Sequence, residues 1–314
     1  MQKYNPGTQL LDLCSKATKT LLLVAPFIKH SVMKDIFSVV PEDVHISCVT
    51  RWRPNEIKMG VSDLQIWDLF KNRPNSDLYL INNLHAKLYK SDEECLIGSS
   101  NLTLKALGWT KNHNLEILMS VPENDSLIAY FEEILWQQVS KVNNVIYTFM
   151  FDAVSLLPEN VVIISDELPL HDDELDSLAD GDSVWIPESR NPQSLYKAYS
   201  GSRDELIQAS YEHALTDLYH LKINFVENEK QFNSVMRSLL IQEPIFKLIN
   251  DFIEEPKRFG AVTKYLKGTL KQDLTREQID YIWQIIFRWM LHFFPDSYEY
   301  SRPNHSEIIS KISR

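Results

Sequence analysis

The sequence predicts an α/β layered domain over residues 1–145, an acidic linker or small β region over 146–202, and a mainly helical domain over 203–314. Three observations lead there. Short apolar runs of strand length alternate with amphipathic helical segments as far as Val139, which argues sheet and helix in layers. Beyond about Arg203 the apolar spacing turns helical. Between the two lies Asp166–Asp182 (DELPLHDDELDSLADGD), where carboxylates dominate. A length of 314 residues suits two domains of ordinary size.

In chain order, Thr20–Ile28 (TLLLVAPFI) is a strand-length apolar run bounded by lysines, so a buried strand is expected there. Ser31–Val39 is a short helix, Val44–Thr50 (VHISCVT) a second strand, and Ser62–Phe70 an amphipathic helix offering Leu64, Trp67, Leu69 and Phe70 for burial. Asp77–Ile81 leads into a strand carrying His85 and Lys87. These two side chains lie two apart and so face the same side, while Ala86 and Leu88 face the buried one. Asp92, Glu93 and Glu94 supply a polar turn, and Cys95–Ile97 returns as the second strand of a hairpin. Gly98 permits a tight bend. Ser99, Ser100 and Asn101 then open a helix, Leu102–Leu107, closed by Gly108. Asn114–Met119 is a further strand, and Asp125 or Ser126 caps a helix running to Val139.

The helical region contains four candidates: 205–222, 229–254 divided by Pro244, 259–272 and 275–294. Thr275 and Gln278 form a capping box for the last. That helix is apolar nearly all round (Ile279, Ile282, Trp283, Ile285, Ile286, Trp289, Met290, Phe293), which puts it at the centre of its domain.

Composition narrows the class. With 44% hydrophobic residues the chain is globular, not disordered. The run from Leu21 is short, contains Pro26 and lacks a basic upstream region, so no secretory signal is expected. The most apolar helix carries Asp280, Gln284, Arg288 and His292, against a membrane span. Cys14, Cys48 and Cys95 are odd in number, with no C-x-x-C spacing, and fit reduced core thiols of a cytoplasmic protein. No cluster has metal-ligand spacing, so neither a metal nor any other cofactor is expected. Net charge is −11, which taken whole opposes a nucleic-acid partner. Its distribution does not: residues 1–120 hold 14 Lys+Arg against 12 Asp+Glu, and the acidity sits in the remainder. The stretch Asp166–Asp182 is either a solvated loop or an acidic strand competing with nucleic acid for a groove.

The most informative stretch is His85-Ala86-Lys87-Leu88-Tyr89-Lys90-Ser91-Asp92 followed by Gly98-Ser99-Ser100-Asn101, that is, H-x-K-x4-D and then G-S-x-N. An imidazole, an ammonium, a hydroxyl, an amide and helix N-terminal N–H groups converging on one spot would suit a phosphate. A second H-x-K, His220-Leu221-Lys222, with Glu227 at the offset of Asp92, has no G-S-x-N after it and lies in a helical pattern. It is expected to be a chance match.

The first stretch resembles the HKD signature of the phospholipase D superfamily. Five residues separate Asp92 from Gly98, where the family pattern usually has six. The resemblance covers roughly residues 15–140 and implies a mixed sheet covered on both faces by helices. It implies metal-independent phosphodiester cleavage through a covalent phosphohistidine, with His85 as nucleophile and a second histidine as acid and then base. Lys87, Asn101 and Ser99 would hold the non-bridging oxygens, and Glu116, on the strand after G-S-x-N, would orient His85. Asp92 and Gly98 would support the site structurally.

One motif per chain is similar to the Nuc-type endonucleases and the BfiI-type restriction enzyme, which implies a homodimer through the N-terminal domain with a composite site. The favoured expectation is a DNA endonuclease in phage defence or DNA processing. A phospholipase or phosphatidyltransferase is the alternative. A third is a non-cleaving or partner-directed nucleic-acid subunit, with a protein partner engaged through residues 203–314.

Overall fold

A computed structural model describes residues 5–92, 94–122, 124–158, 184–223, 226–270, 274–303 and 307–312. The chain divides into two units, Met1–Val161 and Val162–Arg314.

The first unit begins with helix α1 (Pro6–Lys16), whose N-cap Asn5 accepts a hydrogen bond from Thr8 N. There follow β1 (Thr20–Val24), α2 (His30–Val39), β2 (His45–Thr50), α3 (Pro54–Lys58), α4 (Ile66–Asn72), β3 (Ser76–Leu80), β4 (Leu88–Ser91), β5 (Cys95–Gly98), β6 (Leu118–Val121), α5 (Ser126–Gln138), β7 (Ser140–Lys141) and α6 (Asn144–Leu156). The strands form one seven-stranded sheet in the order β6-β5-β4-β1-β2-β3-β7. β1, β2 and β3 run parallel, while β4, β5, β6 and β7 each run antiparallel to their neighbours. The expected α/β class with a mixed sheet is therefore observed.

β1 explains why its sequence is apolar without a break. Leu22 and Val24 face a core with Leu88, Ile128 and Leu135, the last two from α5. Leu21 and Leu23, pointing the other way, are also fully buried. A strand buried on both faces reads as a continuous apolar run.

Differences from the sequence reading have local causes. The amphipathic segment from Ser62 becomes helical only at Ile66, because Ser62 Oγ is exchanging hydrogen bonds with Ile28 N and O (3.1 and 3.2 Å). Asp63 likewise holds Lys29 Nζ and accepts from His30 N at 2.9 Å. Helix α3 was not anticipated, although Pro54 at its first position is a common start signal. Within 146–202, the described residues contain helix where a linker or small β region was expected: most of α6, and α7 (Gln193–Tyr199). The acidic stretch Asp166–Asp182 lies outside the described residues.

Asp92 is a structural latch. It accepts from Thr18 Oγ1 and from the backbone N–H of Thr18, Lys19 and Thr20 (3.1, 3.0 and 3.1 Å), tying the β4–β5 turn to the start of β1. The hydrogen bond from Thr18, then those from the backbone, hold its carboxyl well below the usual carboxylate range. A depressed folded-state value means the contribution is complete above the unfolded pKa, about 4, and is lost as pH falls through the folded value. Asp92→Ala should therefore lower the thermal midpoint at pH 7, and its deficit relative to wild type should shrink at pH 3. Melts at the two pH values check this; an equal deficit at both would show that the charge is irrelevant.

All three cysteines are free and buried. Burial pushes the Cys14 and Cys48 thiols far up and Cys95 up to about 11, so none is a reactive thiolate near neutrality.

The second unit continues with α7, then α8 (Gln208–Leu221), α9 (Glu229–Leu240), α10 (Pro244–Phe252), β8 (Lys257–Arg258), α11 (Phe259–Thr269), α12 (Arg276–Phe293), β9 (Tyr298–Ser301) and β10 (Ile308–Lys311). The capping box at Thr275 and Gln278 is formed. α12 buries Trp283, Ile286, Trp289 and Phe293. Pro244 separates α9 from α10. The small antiparallel sheet β8-β10-β9 was not foreseen in the sequence. His220 lies within α8, stacked on Trp185 at 4.3 Å and 3.3 Å from Glu243, so the second H-x-K sits at a helix end and not on a strand. No helix among the described residues is long and apolar enough to cross a membrane.

Candidate active site

The loops at the carboxyl ends of β1, β2 and β3 come to one edge of the sheet. Because β4 runs antiparallel to β1, with Leu88 opposite Val24, the residues entering β4 arrive at that same edge. The same pairing logic brings in the end of β5 and the start of β6, with Gly98 opposite Leu118. Ligands of open α/β sheets commonly bind at the carboxyl ends of the parallel strands.

His85, Ala86 and Lys87 precede the paired strand, yet their alternation holds. Leu84 and Leu88 are buried and Ala86 packs on the core they line. His85 is exposed, and Lys87 is half-buried with its ammonium donating to His85 O at 2.7 Å. The hairpin then delivers the second motif: Leu88 pairs with Ile97, and Gly98 N donates to Lys87 O at 3.3 Å. H-x-K and G-S-x-N are thus adjacent in space.

Gly98 is not a bend but a point of close approach. A Cβ placed there would stand 1.9 Å from Ile117 O, so only glycine lets β5 meet the segment entering β6. Ser99 seals that junction. Its N–H donates to Ile117 O at 3.0 Å, and its hydroxyl accepts from Ile117 N at 3.1 Å while donating to Glu116 Oε2. The Ser99 hydroxyl is therefore engaged with the segment leading into β6. Glu116 also accepts from Asn114 Nδ2 at 3.0 Å. These bonds shift the strand expected over 114–119 to Leu118–Val121, leaving Glu116 just before it.

The helix expected over Leu102–Leu107 is absent. Leu102 instead bridges Ile28, donating its N–H to Phe27 O at 3.1 Å and accepting from Lys29 N at 2.9 Å. A turn follows, with Leu107 N on Thr103 O at 3.0 Å, and Gly108 closes it at φ 71°. No helix N-terminus therefore follows G-S-x-N directly. Asn101 is half-buried, and its Oδ1 is buried with no hydrogen-bond partner. Tyr89 Oη donates to Ser100 O at 2.5 Å, fixing the G-S-x-N backbone from within the core.

Sequence reasoning missed three charged residues. Arg51, Arg53 and Glu56 are all buried. Glu56 grips Arg51 through Nε at 3.1 Å and Nη2 at 2.5 Å, and lies 3.8 Å from Arg53. Arg51 Nη1 donates to Leu84 O at 3.1 Å, and Arg53 Nη2 donates to Asn82 O at 3.0 Å. The segment entering His85, which lacks strand pairing, is thus clamped from behind by two guanidinium groups on one carboxylate. The only trace in the sequence is R-W-R at the end of an apolar strand, with a glutamate shortly after.

Burial lowers the Lys87 pKa, the positive charge of Arg51 lowers it further, and Glu116 acts in the opposite sense. The Lys87 ammonium, held at the His85 backbone oxygen, thus feels both the positive charge of Arg51 and the negative charge of Glu116. Among the described residues, no group of three His, Cys, Asp or Glu side chains is placed to hold a metal ion. Beside Lys87 lies an open, largely apolar groove of about 480 Å³, lined by Ala86, Leu88, Ile97, Ile117, Met119 and Phe131 among others.

No protein-family model matches the chain, and no curated protein matches it. Among solved structures it is similar to NucT from Helicobacter pylori, at 13% identity and TM-score 0.31 over 46% of this chain and 86% of that one. It is similar to Nuc from Salmonella typhimurium, described as a phospholipase D family member, at 19% identity and TM-score 0.35 over 44% and 90%. A third is phosphatidylserine synthase from Haemophilus influenzae, at 14% identity and TM-score 0.37 over 49% and 42%.

Proposed function

We propose that this chain is a metal-independent phosphodiesterase of the phospholipase D type, an endonuclease acting on DNA. One observation carries the reading: H-x-K and G-S-x-N, apart in sequence, are laid side by side at the carboxyl edge of the parallel strands. In this reading a ring nitrogen of His85 attacks phosphorus and the bond to the leaving oxygen breaks, giving a phosphohistidine. His85 of a second copy supplies the leaving oxygen with its proton. It then takes a proton from water as that water displaces the first histidine. Imidazole suits both roles because it titrates near neutrality. Lys87 and Asn101 hold the non-bridging oxygens. Glu116, with Ser99 and Asn114 on its carboxylate, positions His85 and balances the charge of Lys87.

The test is a cleavage assay in excess EDTA on single- and double-stranded DNA, RNA and a labelled phospholipid. Cleavage of DNA that survives EDTA is expected, and activity restored only by Mg²⁺ would overturn the mechanism. A mixed dimer of wild type and His85→Ala, purified through two tags, should lose most of its activity. Retention of half would mean that each chain holds a complete site. A lipid phosphodiester is the second reading, favoured by the apolar groove beside Lys87. Hydrolysis in phospholipid vesicles with DNA left intact would select it.

A further inference from the structure

The second unit contains an arrangement that its helical sequence pattern conceals. From α10 onward the order is helix, strand, helix, helix, strand, strand, and β10 lies between β8 and β9, antiparallel to both. That is the order and sheet pairing of a winged helix-turn-helix: α11 and α12 are its two central helices, and the β9–β10 hairpin is the wing. In helix-turn-helix proteins the first helix of the pair crosses the phosphate backbone of a duplex.

The charge on this arrangement fits that use. Residues 256–314 hold 10 Lys+Arg against 6 Asp+Glu, a net of +4 in a chain of net −11. α11 (FGAVTKYLKGT) contains no carboxylate, and both its lysines, Lys264 and Lys267, are exposed. Arg258 at its N-cap and Arg302 directly after β9 are exposed as well. Among the described residues no carboxylate pairs with any of these four, whereas Arg237 and Arg276 elsewhere in the unit do have acidic partners. The start of α12 is different, since Glu277 and Asp280 accompany Arg276 there. Cations gather on the helix that would cross the backbone and on the strands beside it.

We propose that α11 and the strands flanking it form a duplex-DNA binding surface that engages phosphates without selecting sequence. Its residues all belong to the second unit, and it does not depend on the chemistry proposed for His85. It gives the chain a second means of holding duplex, with Lys264, Lys267, Arg258 and Arg302 as phosphate contacts.

The test is fluorescence anisotropy of the full chain on a labelled duplex of mixed sequence, in a His85→Ala background so that binding is read without cleavage. Lys264→Glu/Lys267→Glu should weaken binding at least tenfold. It should also flatten the plot of log affinity against log salt by about 1.8, the loss expected for two phosphate contacts. Arg258→Ser/Arg302→Ser should act in the same direction. Thermal midpoints matching the parent protein show that neither pair of exposed changes unfolds the unit. Unaltered affinity and slope in both variants would overturn the proposal, as would single-stranded DNA competing as well as duplex. If the wild type cleaves nothing while the charge reversals still abolish duplex binding, the enzymatic reading fails and this one stands.

Discussion

His85→Ala should lower phosphodiester cleavage by about three orders of magnitude or more, since it removes the nucleophile and, in a composite site, the acid as well. Lys87→Ala should come close to this. The histidine is exposed, so its loss creates no cavity and the thermal midpoint should stay near that of wild type. The measurement is initial rate on the substrate selected by the EDTA assay, beside a melt of each variant. A His85→Ala protein that folds normally and cleaves at the wild-type rate would remove His85 from the mechanism.

Glu56→Ala should strongly destabilise the first unit. It leaves two buried guanidinium groups without their shared carboxylate, and breaking a buried ion pair from one side costs about 3–5 kcal/mol. Urea unfolding would show this as a lower midpoint. Arg51→Lys separates charge from geometry: the positive charge beside Lys87 is kept, but the two-pronged hold on Glu56 and the bond to Leu84 O cannot both be made. Its cleavage rate should fall even where the protein is folded. Arg51→Met removes the charge. Since Arg51 helps to lower the Lys87 pKa, that pKa should rise and the alkaline limb of the rate profile should move to higher pH. Burial, the larger cause, persists, so Lys87 stays below the ordinary lysine value. A profile unchanged in Arg51→Met would mean that the limb reports another group.

Periodicity and caps were enough wherever an element is stabilised by its own residues. The β1 run, the Asp125 cap of α5, the break at Pro244 and the capping box of α12 were all legible because their signals lie within a few positions of each other. So was the alternation that turns Leu84, Ala86 and Leu88 inward and His85 outward. H-x-K and G-S-x-N were legible as residue types at fixed spacing. Their adjacency followed once a hairpin was assumed.

What the sequence determined by itself was therefore the α/β class of the first unit, the helices of the second from α8 onward, and the short segments that carry the candidate chemistry. The tertiary structure decided everything that depends on partners distant along the chain. Leu102 is a bridge partner and not a helix start, because Phe27 and Lys29 take its backbone groups. Glu116 precedes its strand because Ser99 occupies the backbone of Ile117. Arg51 and Arg53 hold the approach to His85 across some thirty residues, and β10 pairs with β8 across α11 and α12. The reason is common to all four. A backbone or charged group is satisfied by whichever partner folding brings near, and a partner so distant in sequence leaves no local periodicity to read.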